Sequence, residues 1–174
     1  MKAKSKQLVH HPLLCWDIVT MQQAARLRKK EFDPLFQLKA EYDWGIDLNA
    51  LLQQPFDAIV LTDVQQTILW VSNGFKAMTG YDPKFAIGKR PEFLQGNETS
   101  AVIKKQIREK ILQHEPVSGS LANYKKNGKP YLCRLQIFPL LNQHKQLKHF
   151  IALEQEIKHL HYERSHRKIN HPYF

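Results

Sequence analysis

The sequence predicts an α+β domain: a five-stranded antiparallel sheet with helices packed on one face, preceded by a helical extension. Three observations carry that reading. Apolar residues recur at helical spacing through the first third of the chain. Five short β-rich runs follow, two before and three after a stretch of helical turns. Turn residues punctuate these runs where hairpins are needed, so an antiparallel sheet with one helical layer is the natural closure.

The elements follow in order. Pro12 offers a helix start, and Leu13, Trp16, Thr20, Ala24 and Leu27 share a stripe flanked by Leu14, Ile18, Met21 and Ala25. Arg28, Lys29 and Lys30 suit a helix C-terminus. Asp33-Pro34 reads as an N-cap and first helical residue, so a second short helix is expected through Leu35, Leu38 and Tyr42. Asp47 caps a further turn that Pro55 stops. Residues 58–63 and 67–71 read as a hairpin. Ser72 or Asn73 starts a helical turn closed by Gly80, and Asp82-Pro83 starts another closed by Gly88. From 101 to 114, Val102, Ile103, Ile107, Ile111 and Leu112 predict a longer helix. Strands are expected over 117–124, 131–140 and 147–156, the first two joined by Lys125-Lys126-Asn127-Gly128.

The 174 residues leave room for one domain with flanking elements. We expect a helical extension over 1–51, serving as cap or dimerisation element, the domain over 52–157, and a polar, His-rich tail over 158–174. No apolar run approaches the roughly 20 residues that span a bilayer, and no secretory signal fits the N-terminus, so the expected compartment is the cytoplasm. Cys15 and Cys133 form no metal-ligand spacing and suit a reducing environment. The net charge of +10 raises nucleic acid as a partner. The charge is spread along the chain, with no Arg-rich helix, so a basic soluble surface is the preferred reading.

Four blocks resemble a known family. ILWVSNGFKAMTGY at 68–81 looks like the PAS signature, and GKRPEFLQG at 88–96 is similar to the core motif of the LOV (flavin photoreceptor) branch. LANYKKNG at 121–128 and FIAL at 150–153 resemble later LOV blocks. The resemblance implies a PAS domain in which Asn123, Gln95, Arg108, Cys133 and Glu154 fall at cavity or cofactor positions. It also exposes departures. LOV photochemistry requires a cysteine thiol over the flavin, and the matching position is Pro91. Arg90 stands where the family has asparagine, Glu92 where it has a phosphate-binding arginine, and Cys133 where it has a second asparagine. The final-strand glutamine falls on Glu154, although a one-residue slip would offer Gln155.

These departures imply a LOV-like sensory or interaction module without cysteinyl-adduct chemistry and without a resident cofactor. A sensor holding flavin or haem non-covalently is the alternative. His114 is the one candidate haem ligand, and helix capping is its simpler role. His159, His161, His166 and His171 fit no closed metal pattern. No P-loop, nucleophile elbow or HExxH motif points to an enzyme. The expected partners are a second copy of the chain, an unidentified signalling protein and a small ligand, with no membrane. Trp16, Met21, Leu27, Leu35 and Phe36 form an apolar helical face that either covers the sheet or pairs in a two-fold dimer, the dimer being preferred.

Overall fold

A computed structural model describes residues 15–157. In chain order the elements are α1 (Cys15–Tyr42), α2 (Leu48–Leu52), β1 (Ala58–Thr62), β2 (Ile68–Val71), α3 (Gly74–Thr79) and α4 (Pro83–Ala86). A 3₁₀ turn (Pro91–Leu94), α5 (Ala101–Leu112), β3 (Val117–Tyr124), β4 (Pro130–Leu141) and β5 (Leu147–Ile157) complete them. The five strands form one sheet in the order β2-β1-β5-β4-β3, every described pairing antiparallel. The last strand therefore inserts between the first hairpin and the second.

Local chemistry accounts for most boundaries. Asp47 accepts from the backbone N–H groups of Asn49 and Ala50 and so caps α2. Asp82 caps α4 through Lys84 N–H, with Pro83 in the first helical position. Ser100 caps α5. Ser72 does not cap α3: its hydroxyl accepts instead from Ile59 N–H at 2.9 Å, tying the end of β2 back to β1. Gly80 closes α3 at φ 77°. Gly74 is required by contact, because a Cβ there would lie 1.9 Å from the Asp57 carbonyl oxygen. In the β3–β4 hairpin only Gly128 takes positive φ, closing a turn in which its N–H donates to Lys125.

One expected boundary is absent. Asp33-Pro34 does not start a new helix; α1 runs through it as a single 28-residue helix. Proline in a helix removes one backbone hydrogen bond and costs about 3 kcal/mol. Phe32 and Leu35, on either side of Pro34, are buried against the sheet and offset that cost.

The helices cover both faces of the sheet. On the outer face, Phe32 and Leu35 of α1, Trp44, and Leu48, Leu51 and Leu52 of α2 pack on Ile59, Leu61, Leu140, Ile151 and Leu153. On the inner face, Phe75 and Met78 of α3, Ala86 and Leu94 close over Ala58, Val60, Ile68, Val71, Tyr131 and Cys133. Leu35 is thus fully buried within its own chain and is not available to a second copy, which corrects its assignment to an intermolecular face. Phe36 remains exposed. The side chains of Trp16, Met21 and Leu27, and the whole tail with His159, His161, His166 and His171, lie outside the described residues.

A candidate ligand cavity on the inner face

The two-residue period of the strands decides which side chains face inward. Val60 and Thr62 of β1, Phe150, Ala152 and Glu154 of β5, Leu135 and Ile137 of β4, and Leu121 and Asn123 of β3 form the floor of a cavity of about 400 Å³. Ile107 and Ile111 of α5 and Leu94 at the end of the 3₁₀ turn roof it. Lys104, Lys105 and Arg108 of α5, with Arg90, Pro91 and Glu92, form its rim. The volume and the apolar walls suit a small organic molecule.

Three unmatched polar groups interrupt the apolar walls. Gln95 Oε1, Asn123 Oδ1 and Glu154 Oε2 are buried and have no hydrogen-bond partner. All three side chains line the cavity. Asn123 is 4% and Glu154 6% exposed. Burial disfavours the charged form of Glu154 and pushes its carboxyl up to about 7. Tyr131 faces Asn123 directly across the β3–β4 pair, its hydroxyl beside the Asn123 side chain without a well-formed hydrogen bond. Burial raises that phenol well above its ordinary value; the nearby Glu154 adds to the shift and the Asn123 side chain opposes it.

Of the sequence-derived site residues, Asn123, Gln95, Arg108 and Glu154 come together around this cavity. The strand register places Glu154, not Gln155, on the inner face: Glu154 pairs with Ala58 and Leu135, while Gln155 pairs with the exposed Arg134. Cys133 departs from expectation. It is fully buried on the same face but packs in the cluster with Phe75, Met78 and Tyr131, outside the cavity lining. Burial and the nearby Glu154 push its thiol up, which makes it inert. No cysteine is among the lining residues, and Pro91 is. His114, exposed and at φ 56° just past α5, does not line the cavity. Lys104 and Lys105 were not singled out from sequence. They share the helical spacing of Arg108 beside the inward stripe of Ile103, Ile107 and Ile111, and that pattern was the available signal.

Among the described residues, no His/Cys/Asp/Glu cluster could hold a metal ion, and no helix is long and apolar enough to cross a membrane.

An antiparallel sheet in this strand order, with a small-molecule cavity between its inner face and a short helical layer, defines a sensory domain of the PAS class. The model of the PAS domain family matches residues 57–159, and the chain belongs to that family. Within the family it is LOV-like. It is 30% identical over 107 residues to a nitrogen fixation regulatory protein of Klebsiella oxytoca, covering 62% of this chain and 22% of that protein. It is 32% identical over 111 residues to phototropin-2 of Oryza sativa subsp. japonica, covering 64% of this chain and 12% of that protein. The LOV domain of the Erythrobacter litoralis EL346 blue-light-activated histidine kinase superposes with a TM-score of 0.56 at 25% identity, over 60% of this chain and 98% of that domain. The chain thus spans under a quarter of the length of these two curated relatives.

Proposed function

We propose that the protein is a cytoplasmic signalling module that acts by binding rather than catalysis, taking a small ligand into the inner-face cavity without cysteinyl-adduct photochemistry. One observation carries this reading: three buried oxygens with no partner, on Gln95, Asn123 and Glu154, face a cavity of about 400 Å³. Each unmatched buried polar atom costs on the order of 1–3 kcal/mol. An occupant that bonds them recovers that cost, so the cavity favours being filled. Pro91 on the rim offers no nucleophile to an excited flavin ring. The domain boundaries proposed for this module are 52–157.

Non-covalent flavin binding is the second reading, supported by the likeness to LOV domains and by Asn123, Gln95 and Arg108 around the cavity. Native mass spectrometry with an absorbance scan of purified protein separates the two. An added mass without visible absorbance supports the first reading, and a flavin spectrum the second. Protein without added mass that also takes up no small molecule from a metabolite extract overturns both.

The signal requires an interface. We propose that the part of α1 ahead of Phe32, with Trp16, Met21 and Leu27 on its apolar stripe, joins a second copy, and that exposed Phe36 extends this face. Light scattering at high micromolar concentration tests it, since a monomer there refutes the dimer. An unidentified signalling protein would then read the dimer.

A further inference from the structure

Away from the cavity, one stretch of surface mixes exposed apolar side chains with cations. Phe85 is 46% and Ile87 49% exposed on either side of buried Ala86, so both project from the end of α4. Backbone bonds tie this segment to β2. Gly88 N–H donates to the Ile68 carbonyl at 2.9 Å, and Ile68 N–H donates to the Lys89 carbonyl at 2.8 Å. Leu69, the next residue of β2, is 41% exposed. The Phe85 ring is held in place from below. It stacks on Tyr81 at 5.0 Å, and both rings meet Phe93 edge-on, at 5.5 and 5.1 Å, with Tyr81 and Phe93 packed on the inner core.

The charge on this stretch is positive. From Lys76 to Phe93 there are four cations and two carboxylates. Both carboxylates are held, Asp82 by Lys76 at 3.1 Å and Glu92 by Arg90 at 2.9 Å. Lys84 and Lys89 form no ion pair among the described residues. Neither does Lys126, which the bond from its N–H to the Thr79 carbonyl brings beside the segment. The Lys89 ammonium lies 4.6 Å from the centre of the Phe85 ring.

We propose that this surface docks on an anionic lipid bilayer. Phe85, Ile87 and Leu69 enter the boundary between headgroups and acyl chains, and Lys84, Lys89 and Lys126 meet the headgroups. The inference goes beyond the cavity reading and does not depend on it. No described helix is long and apolar enough to cross a membrane, so the contact is peripheral.

Three features favour a bilayer over other occupants. Lys89 covers the Phe85 ring and Lys84 precedes it, so cations and apolar groups are interleaved. The desolvated centre of a protein interface is depleted of lysine, whereas a bilayer boundary takes apolar side chains below and ammonium groups at headgroup level. A second copy would set the same lysines against these, with +10 on each chain. A nucleic acid would use the lysines and leave three large apolar side chains in water.

Sedimentation of the full chain with vesicles makes the test. One set is phosphatidylcholine alone, and the other carries about 30% phosphatidylserine. We expect partition to the anionic set to be larger by about tenfold or more at ~0.1 M salt, and to fall steeply by ~0.5 M. Phe85→Ser and Ile87→Ser change no charge, so attraction through other basic segments is untouched. Each should weaken anionic partition by about fivefold or more. Lys89→Gln should cost about as much, while Lys105→Gln on the exposed side of α5 should change it by no more than about twofold. Circular dichroism checks the fold, and Ile87→Ser, which disturbs no ring contact, carries the test if Phe85→Ser does not fold. Anionic partition that the serine variants leave intact would be charge attraction alone, and overturns the docking face. Binding to neither set overturns it as well and leaves the face to a protein partner. Both failures leave the cavity reading to the mass spectrum.

Discussion

The two faces of one sheet are packed by opposite rules. On the outer face, aromatic and aliphatic side chains of α1 and α2 fill the space, and among the described residues all but one of the buried side-chain polar groups there are partnered. Trp44 Nε1 donates to His149 Nδ1 at 3.2 Å, and Tyr42 packs edge-on against the same imidazole at 4.6 Å. Lys39 reaches the carbonyls of Trp44 and Ile46 at 2.6 and 2.7 Å, pinning the turn that leaves α1. On the inner face, the same strands border a void with unmatched oxygens. Among the described residues, Gln136 is the outer face's single unmatched buried side-chain oxygen, against four on the inner side. Completion on one face and deliberate incompleteness on the other separate the scaffold from the site.

The comparison breaks most visibly if large-to-small substitutions cost the same on both faces. Leu35→Ala should destabilise by about 3 kcal/mol, because the close packing around it relaxes only partly around the new cavity. Leu135→Ala, already bordering a void, should cost about half as much. Urea denaturation midpoints compare them. Equal losses would mean that the inner cavity is not open in solution.

The second contrast is in pH. Glu154 titrates near 7 in the folded chain, above its ordinary value, so its stabilising share is complete in acid and is lost as pH rises from about 4.5 to 7. Glu154→Gln should therefore be more stable than wild type at pH 8, by on the order of 3 kcal/mol, and match it near pH 4. His149 runs the other way. Burial lowers its affinity for protons, with Lys148 adding and Asp63 and Glu41 opposing. The folded chain resists a protonation that the unfolded chain accepts, so stability falls as pH drops below about 6.5. Thermal melts of wild type, Glu154→Gln and a His149→Gln variant across pH 4 to 8 should show each substitution flattening one limb. A Glu154→Gln profile parallel to wild type would place that carboxyl in water.

Much of this was legible in the sequence and some was not, for reasons that differ by element. Strands β3, β4 and β5 announce themselves through β-rich runs and the Asn127-Gly128 turn, and the caps at Asp47 and Asp82 are local signals that local structure obeys. Pro34 misled because the tertiary burial of Phe32 and Leu35 outweighs a local rule. Asn123, Gln95, Arg108 and Glu154 were found by resemblance, and strand parity turns Asn123 and Glu154 inward. Cys133 shares that parity yet is covered by α3, a contact between segments distant in sequence. The Trp44–His149 clasp joins residues 105 positions apart, and no local pattern encodes it.

That clasp gives a smaller prediction. Trp44→Phe keeps most of the buried ring and removes the indole N–H, leaving His149 Nδ1 buried at 5% exposure without its donor. The loss should be about 1–2 kcal/mol, read as a lower denaturation midpoint. It should also raise the affinity of His149 for a proton, since an imidazole nitrogen freed of its donor is available to take one. The acid limb of the melt would then shift to a shallower fall, because the interval between the unfolded value near 6.5 and the folded one narrows. A loss without that shift would assign the cost to ring packing alone.

The smallest effect belongs to the Lys125–Glu156 pair, at 2.8 Å and about a quarter exposed on each side. It lies where the β3–β4 turn meets the end of β5, at the edge of the inner face, and Lys125 also sits 5.4 Å from the Tyr131 ring centroid. Water screens a pair this exposed, so Lys125→Ala should cost under about 1 kcal/mol. Its effect on Glu154 should be detectable all the same. Removing the lysine frees the Glu156 carboxylate on the same strand, which raises the cost of ionising Glu154, so the midpoint of its titration, followed by side-chain carboxyl NMR shifts, should move upward. An unmoved midpoint would show that Glu154 responds to its burial alone, and that the edge of the sheet and its cavity are electrostatically separate.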